Sequence, residues 1–327
     1  MAVRQGSGAA VEGCVDLVAR LKAGDPRALA RAMSLVENRS PLALDILAGI
    51  YAATGRALVI GVTGAAGAGK STLVAGLAGV YRARGLTVGV VAVDPSSPFT
   101  GGAFLGDRLR LDAHSTDAGV FIRSMATRGH LGGIAAASGS LVDLLDAAGY
   151  DVIVVETVGA GQEDVEVATV VRWTLLVLTP AAGDAVQALK AGIMEAAQVY
   201  VINKADLEGA ERLEAVLRAH LEIADLGVER PILQTVATRG AGLAELADAL
   251  AALERGLDDQ QRAERELRHA RARLRAASYE AIAAHVEAEL AAGALREDIV
   301  ARVAARALHP EVAAAQLVAR VSREVRG

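Results

Sequence analysis

The stretch "VIGVTGAAGAGKSTL", residues 59–73, decides the fold. Within it, Gly64-Ala65-Ala66-Gly67-Ala68-Gly69-Lys70-Ser71 is a full match to G-x-x-x-x-G-K-[ST]. A β-branched apolar run enters the motif and a helical pattern leaves it, which is the context a phosphate-binding loop requires. Glycines let successive backbone N–H groups converge on an anion, and the following helix adds the positive end of its dipole. Lys70 is placed to neutralise β- and γ-phosphate charge, and the Ser71 hydroxyl to ligate Mg²⁺. Gly64, Ala66, Gly67, Ala68, Gly69 and Thr72 supply the rest of the loop lining.

Working outward, short apolar runs recur at 57–62, 86–93, 151–156, 174–179, 199–203 and 231–236. Their nearly continuous Val, Ile and Leu content is that of strands covered on both faces. Helical segments such as "STLVAGLAGVYRARG" (71–85) and "ERLEAVLRAHLEIADLG" (211–227) separate most of them, so the expectation is an α/β fold. It is a P-loop NTPase domain, a mostly parallel sheet sandwiched by helices, over 56–256. Residues 1–55 read as a helical extension whose "GDP" and "NRSP" breaks divide it into three short helices. Residues 257–327 lose the strand pattern and become Ala- and Arg-rich helix. There Leu267, Leu274, Ile282, Val286 and Leu290 fall on one stripe, which serves either packing on the chain's own sheet or a homodimer-forming arm.

Composition narrows the function classes. The 327 residues are 53% hydrophobic and 22% charged, as in globular chains. Aromatics are only 3%, so Ala, Val and Leu must fill the core. A net charge of -5 gives no footprint for nucleic acid. Cys14 is the single cysteine, has no basic neighbour to activate it, and is expected to pack on a helix face. The N-terminus lacks a signal-peptide core and no apolar run is long enough to span a bilayer, so a cytoplasmic location without membrane contact is expected.

A second motif names the base. "VYVINKADLEG" places Asn203-Lys204-Ala205-Asp206 at the end of a buried run. A carboxylate at Asp206 can accept from both N1–H and the exocyclic amine of guanine, whereas adenine offers no such donor pair. Asn203 would tie this loop to the phosphate loop, the Lys204 stem would flank the base, and the Ala237 backbone in "QTVATRGAGL" would cover the guanine edge. GTP and GDP are therefore the expected ligands. Asp94 at a strand end, Asp107 in the Gly/Pro/Ser-rich loop that follows, and Glu156 in "DVIVVETVGAGQ" make a candidate acidic surround for Mg²⁺.

In order, "GAGKSTL", "VAVDPSSPFTGGAFLGDR", "FIRSMATRGHLGG", "VIVVETVGAGQ", "GDAVQALKAGIMEAA" and "VINKAD" resemble the MeaB/ArgK family, the accessory GTPases of coenzyme B12-dependent methylmalonyl-CoA mutase and related acyl-CoA mutases. The resemblance extends from "KAGDPRALARAMSLVENRSP" to "LHPEVAAAQLVARV", nearly the whole chain. It implies a homodimeric GTPase that binds the mutase, gates adenosylcobalamin loading and protects the radical enzyme. It also implies metal and switch roles for Asp94, Asp107 and Glu156, and a partner-coupling segment at 180–193 containing Asp184 and Lys190. The chain departs from the family at Ala66, where proline is frequent, at Glu163 in "GQED", and in a shorter linker after "NKAD".

Ala160 follows Gly159, so no side chain at that position can orient a water. Slow intrinsic hydrolysis is expected, with acceleration when the mutase orders the loops. Lys190 or Arg108 would then supply charge, and Gln162 is a candidate for holding the water. Two other functions share these motifs in part. A metal-delivering GTPase needs clustered soft or imidazole ligands, but the six histidines stand singly. A kinase or ATPase serving amino-acid transport would leave Asp206 unpaired against adenine.

Overall fold

The strand that carries the phosphate loop is the centre of the sheet. The computed structural model describes residues 8–94, 116–126, 133–157, 168–180, 191–224, 230–291 and 299–324. Strands β1 (Leu58–Gly64), β2 (Val88–Asp94), β3 (Val120–Ala126), β4 (Val152–Thr157), β5 (Trp173–Leu178), β6 (Val199–Asn203) and β7 (Ile232–Thr235) form one sheet. Their order is β3-β2-β4-β1-β5-β6-β7, with every pairing parallel. Parallel neighbours need crossovers, and helices α4 (Lys70–Ala83), α5 (Gly133–Ala147), α6 (Ala191–Ala196) and α7 (Ala210–Ala224) lie in those connections. Six of the strands fall on the six apolar runs. β3 does not announce itself, because an edge strand carrying Arg123 and Ser124 lacks the continuous apolar signal of an interior one.

Alternating side chains send each strand to both faces of the sheet. Val59, Val91, Ile153 and Val155 face one side, where Leu141 and Leu145 of α5 meet Leu29, Met33, Ile46 and Ile50 of the N-terminal helices. Ile60, Val62, Val154 and Val177 face the other, against Leu73 and Leu77 of α4 and Leu246 and Leu250 of α8 (Leu243–Arg255). The N-terminal region forms the three expected helices, α1 (Gly8–Lys22), α2 (Pro26–Glu37) and α3 (Ala43–Ile50). Asp25 caps α2 by accepting from the Arg27 and Ala28 amides at 2.8 and 3.3 Å, with Pro26 in the first turn. Cys14 is buried on α1, and burial pushes its thiol pKa up. Its role is packing.

Two polar links fasten these helices to the sheet domain. Arg123 of β3 donates to Glu37 at the end of α2, and to the Ser34 hydroxyl at 3.2 Å. The buried carboxylate of Asp146, on α5, accepts from three successive amides: Gly55 at 2.6 Å, Arg56 at 3.2 Å and Ala57 at 3.1 Å. Those three residues lead directly into β1.

Two compact units form, residues 1–269 and 270–327. Helix α9 (Asp259–Ala291) belongs in part to each. In the second unit, Val286 and Leu290 of α9 share an apolar groove with Ala313 and Leu317 of α11 (Pro310–Glu324), after the short α10 (Ala301–Ala304). Leu267, Leu274 and Ile282 of α9 are exposed, at 55%, 70% and 43%. Among the described residues no helix is long and apolar enough to cross a membrane.

Tyr81 on α4 yields a stability prediction. Its hydroxyl is buried and has no hydrogen-bond partner among the described residues, and burial pushes its pKa from 10.0 up to about 12. Tyr81→Phe removes an unpaired polar group without changing shape, so it is expected to add about 1 kcal/mol of stability. A higher denaturant midpoint at unchanged slope would show it. The folded state also holds the phenol proton more tightly than the unfolded chain. Stability therefore falls as pH climbs from 10.0 towards about 12 in the parent, and Y81F lacks that decline.

Candidate nucleotide site

The C-terminal ends of β1, β4 and β6 bring the motifs together. β1 delivers its chain into the loop at Gly64, whose φ is +142°. A Cβ there would lie 2.2 Å from the Val177 carbonyl oxygen of β5, so only glycine permits this approach. Gly69 closes the loop with φ +88° and precedes the first residue of α4. A Cβ at Gly69 would lie 2.5 Å from Nδ2 of Asn203. The loop and the base motif thus touch at the position where the sequence insists on glycine.

Lys70 is buried at the head of α4. Its ammonium donates to the Gly64 and Ala65 carbonyls at 2.8 and 3.1 Å, curled over the loop it serves. The Ser71 hydroxyl donates to Oε1 of Glu156 at 2.6 Å. Both side chains are buried, Ser71 at 5% and Glu156 at 4% exposure. β4 places Glu156 in register with Val62 of β1 and Ala92 of β2, next to the loop entry. Ala65, Ala66 and Gly67 are exposed at the loop crest, while Ala68 is buried beneath it. Thr72 follows on α4 and is partly buried.

Asn203 is the joint of the site. Its amide nitrogen donates to the Ala68 carbonyl at 2.9 Å. Its amide oxygen accepts from the Thr235 hydroxyl at 3.1 Å and the Ala237 amide at 3.2 Å. One buried side chain therefore holds three loops, those after β1, β6 and β7. Lys204 has φ +58° and donates from Nζ to the Gly67 carbonyl at 2.8 Å, so its stem lies along the loop. Asp206 is partly exposed, and its carboxylate lies 3.4 Å from the guanidinium of Arg239.

Lys70, Ser71, Glu156, Asn203, Lys204, Asp206 and Ala237 thus gather at one edge of the sheet. Asp94 ends β2 at that edge, two residues beyond the pairing of Ala92 with Glu156. The side chain of Asp94 lies outside the described residues, as do Asp107, Gln162, Lys190, Glu163, Arg108 and Asp184. Among the described residues no group of three His, Cys, Asp or Glu side chains is arranged to hold a metal. Two participants escaped the motif reading, Thr235 and Arg239. Both flank Ala237 in "QTVATRG", and only the fold brings them to Asn203 and Asp206.

Residues 29–291 match the family model described as methylmalonyl Co-A mutase-associated GTPase MeaB. A Pyrococcus abyssi relative, named only at the level of GTPase, is 45% identical over 305 residues, 91% of this chain and 94% of that one. The chain belongs to the MeaB family of GTPases. The Escherichia coli GTPase ArgK is 44% identical over 193 residues, 58% of each chain. The mouse mitochondrial methylmalonic aciduria type A homolog is 37% identical over 197 residues, 58% of this chain and 48% of that one. Among solved structures, one described as a LAO/AO transport system kinase superposes with a TM-score of 0.65 at 29% identity, covering 94% of this chain and 97% of the other. The fold is that of P-loop nucleoside triphosphatases, as expected from residues 59–73, and the chain is a GTPase.

Proposed function

We propose that this MeaB-family GTPase uses GTP binding and hydrolysis to serve a coenzyme B12-dependent acyl-CoA mutase, methylmalonyl-CoA mutase above all. In this role it gates adenosylcobalamin loading and protects the enzyme. The observation that carries the nucleotide half is the Asn203 joint, because its three hydrogen bonds fasten the base-reading loop to the phosphate loop, and loops fixed to one another lose little in ordering on binding. Gly64 to Thr72 would cradle the phosphates, Asp206 would take the guanine N1–H and amine, and the Ala237 backbone would cover the base edge.

Mg²⁺ fits the residues present. The Ser71 and Glu156 oxygens are buried and 2.6 Å apart, and hard oxygens of this kind suit a cation that also keeps waters and phosphate ligands. When bound, the ion neutralises phosphate charge. Ser71 would ligate it, and Glu156, Asp94 and Asp107 would orient its surroundings. Lys70 would leave its two carbonyls for the β- and γ-phosphates. With Ala160 unable to orient water, Gln162 and Lys190 are the side chains proposed to complete the catalytic set when the mutase binds.

The mutase half is supported by the family description and by the name of the mouse relative. Exposed Leu267, Leu274 and Ile282 on α9 support a homodimer formed through the C-terminal helices. GTP turnover should rise by about 10³-fold or more when purified mutase is added, the scale on which a missing charge or water-positioning group acts in phosphoryl transfer. Equal turnover with and without mutase would sink this coupling while leaving the GTPase assignment intact.

A further inference from the structure

Asp206 meets a cation across the rim of the base site. Its carboxylate lies 3.4 Å from the guanidinium of Arg239, and the two residues belong to different loops, those after β6 and β7. Backbone hydrogen bonds fasten both loops. The Ala205 amide donates to the Thr235 carbonyl at 3.1 Å, beside the bonds that Asn203 takes from the Thr235 hydroxyl and the Ala237 amide. The chain then makes one turn of 3₁₀ helix, Ala237–Arg239. The Arg239 amide donates to the Val236 carbonyl at 2.9 Å, and Gly240 leaves the turn at φ +72°. An antiparallel bridge between Val236 and Ala241 closes it, the Val236 amide donating to the Ala241 carbonyl at 3.0 Å. At Gly242, with φ +77°, a Cβ would lie 2.2 Å from the Gln234 carbonyl oxygen, so the loop passes β7 at a distance that requires glycine. The Arg239 backbone is thus held at both ends, and its side chain runs from one fastened loop to the carboxylate of the other.

Guanine would present Asp206 with a neutral edge, two N–H donors and no cation. Laying a flat neutral base against an ionised carboxylate strips water from it without supplying a counter-charge, which is costly. Lys204 is committed elsewhere, to the Gly67 carbonyl. Among the described residues, Arg239 is the cation in ion-pair contact with Asp206. It approaches one oxygen, Oδ2, from one guanidinium nitrogen. A carboxylate offers about four lone-pair sites on its two oxygens, so N1–H and the amine can both be accepted while Arg239 stays in place. In the empty site the pair is 34% and 71% exposed and contributes little. Once a base covers one side of it, the local dielectric falls and the same separation carries a stronger attraction.

We propose that Arg239 is a specificity-determining residue of the base site, a positioning residue that holds the Asp206 carboxylate and supplies its counter-charge when guanine covers it. This rests on the reading of Asp206 as the guanine acceptor. Arg239 acts through Asp206, so its contribution must vanish when Asp206 is replaced.

A double-mutant cycle on the full chain with Mg²⁺ tests this, reading GDP and XDP affinity by calorimetry in the parent, Arg239→Gln, Asp206→Asn and the double variant. Arg239→Gln is expected to weaken GDP binding about 3- to 10-fold, between the worth of an exposed ion pair and that of a hydrogen bond to a charged group. In the Asp206→Asn background the same change should move GDP and XDP affinity by less than about 2-fold. Arg239→Lys keeps the charge and should recover most of the loss. Without nucleotide, the denaturant midpoint of Arg239→Gln should match the parent, which separates a role in base reading from one in folding. Tighter GDP binding by Arg239→Gln would show that the arginine competes with the base. An equal loss in both backgrounds would show that it only attracts an anionic nucleotide, and a failed rescue by Arg239→Lys that charge is not what it supplies. Each of these overturns the proposal. If Asp206→Asn leaves the guanine-to-xanthine ratio unaltered, the reading of Asp206 fails and the role of Arg239 falls with it. A shifted ratio with no coupling to Arg239 leaves the base reading standing and removes Arg239 alone.

Discussion

Asparagine in place of Asp206 is expected to abolish the preference for guanine nucleotides and shift it towards xanthine. The carboxylate would make two charge-assisted bonds to guanine, each worth about 1.5 to 3 kcal/mol, so roughly 3 to 6 kcal/mol of preference rests on one side chain. That corresponds to a loss of about 10² to 10⁴ in relative affinity. The asparagine amide N–H would oppose the guanine amine but could donate to the xanthine carbonyl. Competition among GDP, XDP and ADP for the variant reads the change directly. Fold stability should stay within about 0.5 kcal/mol, because the Asp206–Arg239 pair that is lost is solvent-exposed at 34% and 71%. An unaltered guanine-to-xanthine ratio would mean that Asp206 does not face the base.

Lys70→Ala is the second large effect. Removing one preorganised cation from a phosphoryl-transfer site is expected to lower GTP turnover by about 10² to 10³. The nucleotide-free protein should also lose about 1 to 3 kcal/mol, since the Gly64 and Ala65 carbonyls lose the donor they hold at 2.8 and 3.1 Å. Turnover, and any nucleotide-dependent effect on mutase, should fall together. If mutase protection persists in this variant, GTP acts only as a ligand that stabilises a scaffold.

The parts of the molecule that were legible in advance are those specified by neighbours in sequence. Gly64 and Gly69, Lys70 and Ser71 lie within eight residues, and "NKAD" within four, so their spacing alone carries their chemistry. The interior strands declared themselves because burial on both faces forces continuous apolar runs. What stayed hidden depends on residues that meet only through the fold. Ser71 and Glu156 are 85 positions apart, Asn203 and Ala68 135, and Arg172 and Glu266 94. β3 lacks an apolar signature for a different reason. Its Arg123 has its partner Glu37 on a helix 86 residues earlier, so a charge that seems to interrupt a strand is part of a tertiary ion pair.

The carboxylate on α5 that gathers three consecutive amides ahead of β1 has a practical consequence for anyone trimming this protein to a minimal catalytic body. A version beginning at Leu58 would discard all three donors and strand Asp146, 4% exposed, without them. It would also strip from α5, which packs on β2 and β4, the cover that α2 and α3 now give it. The leading helices are masonry of the sheet itself, and a workable excision has to begin upstream of them.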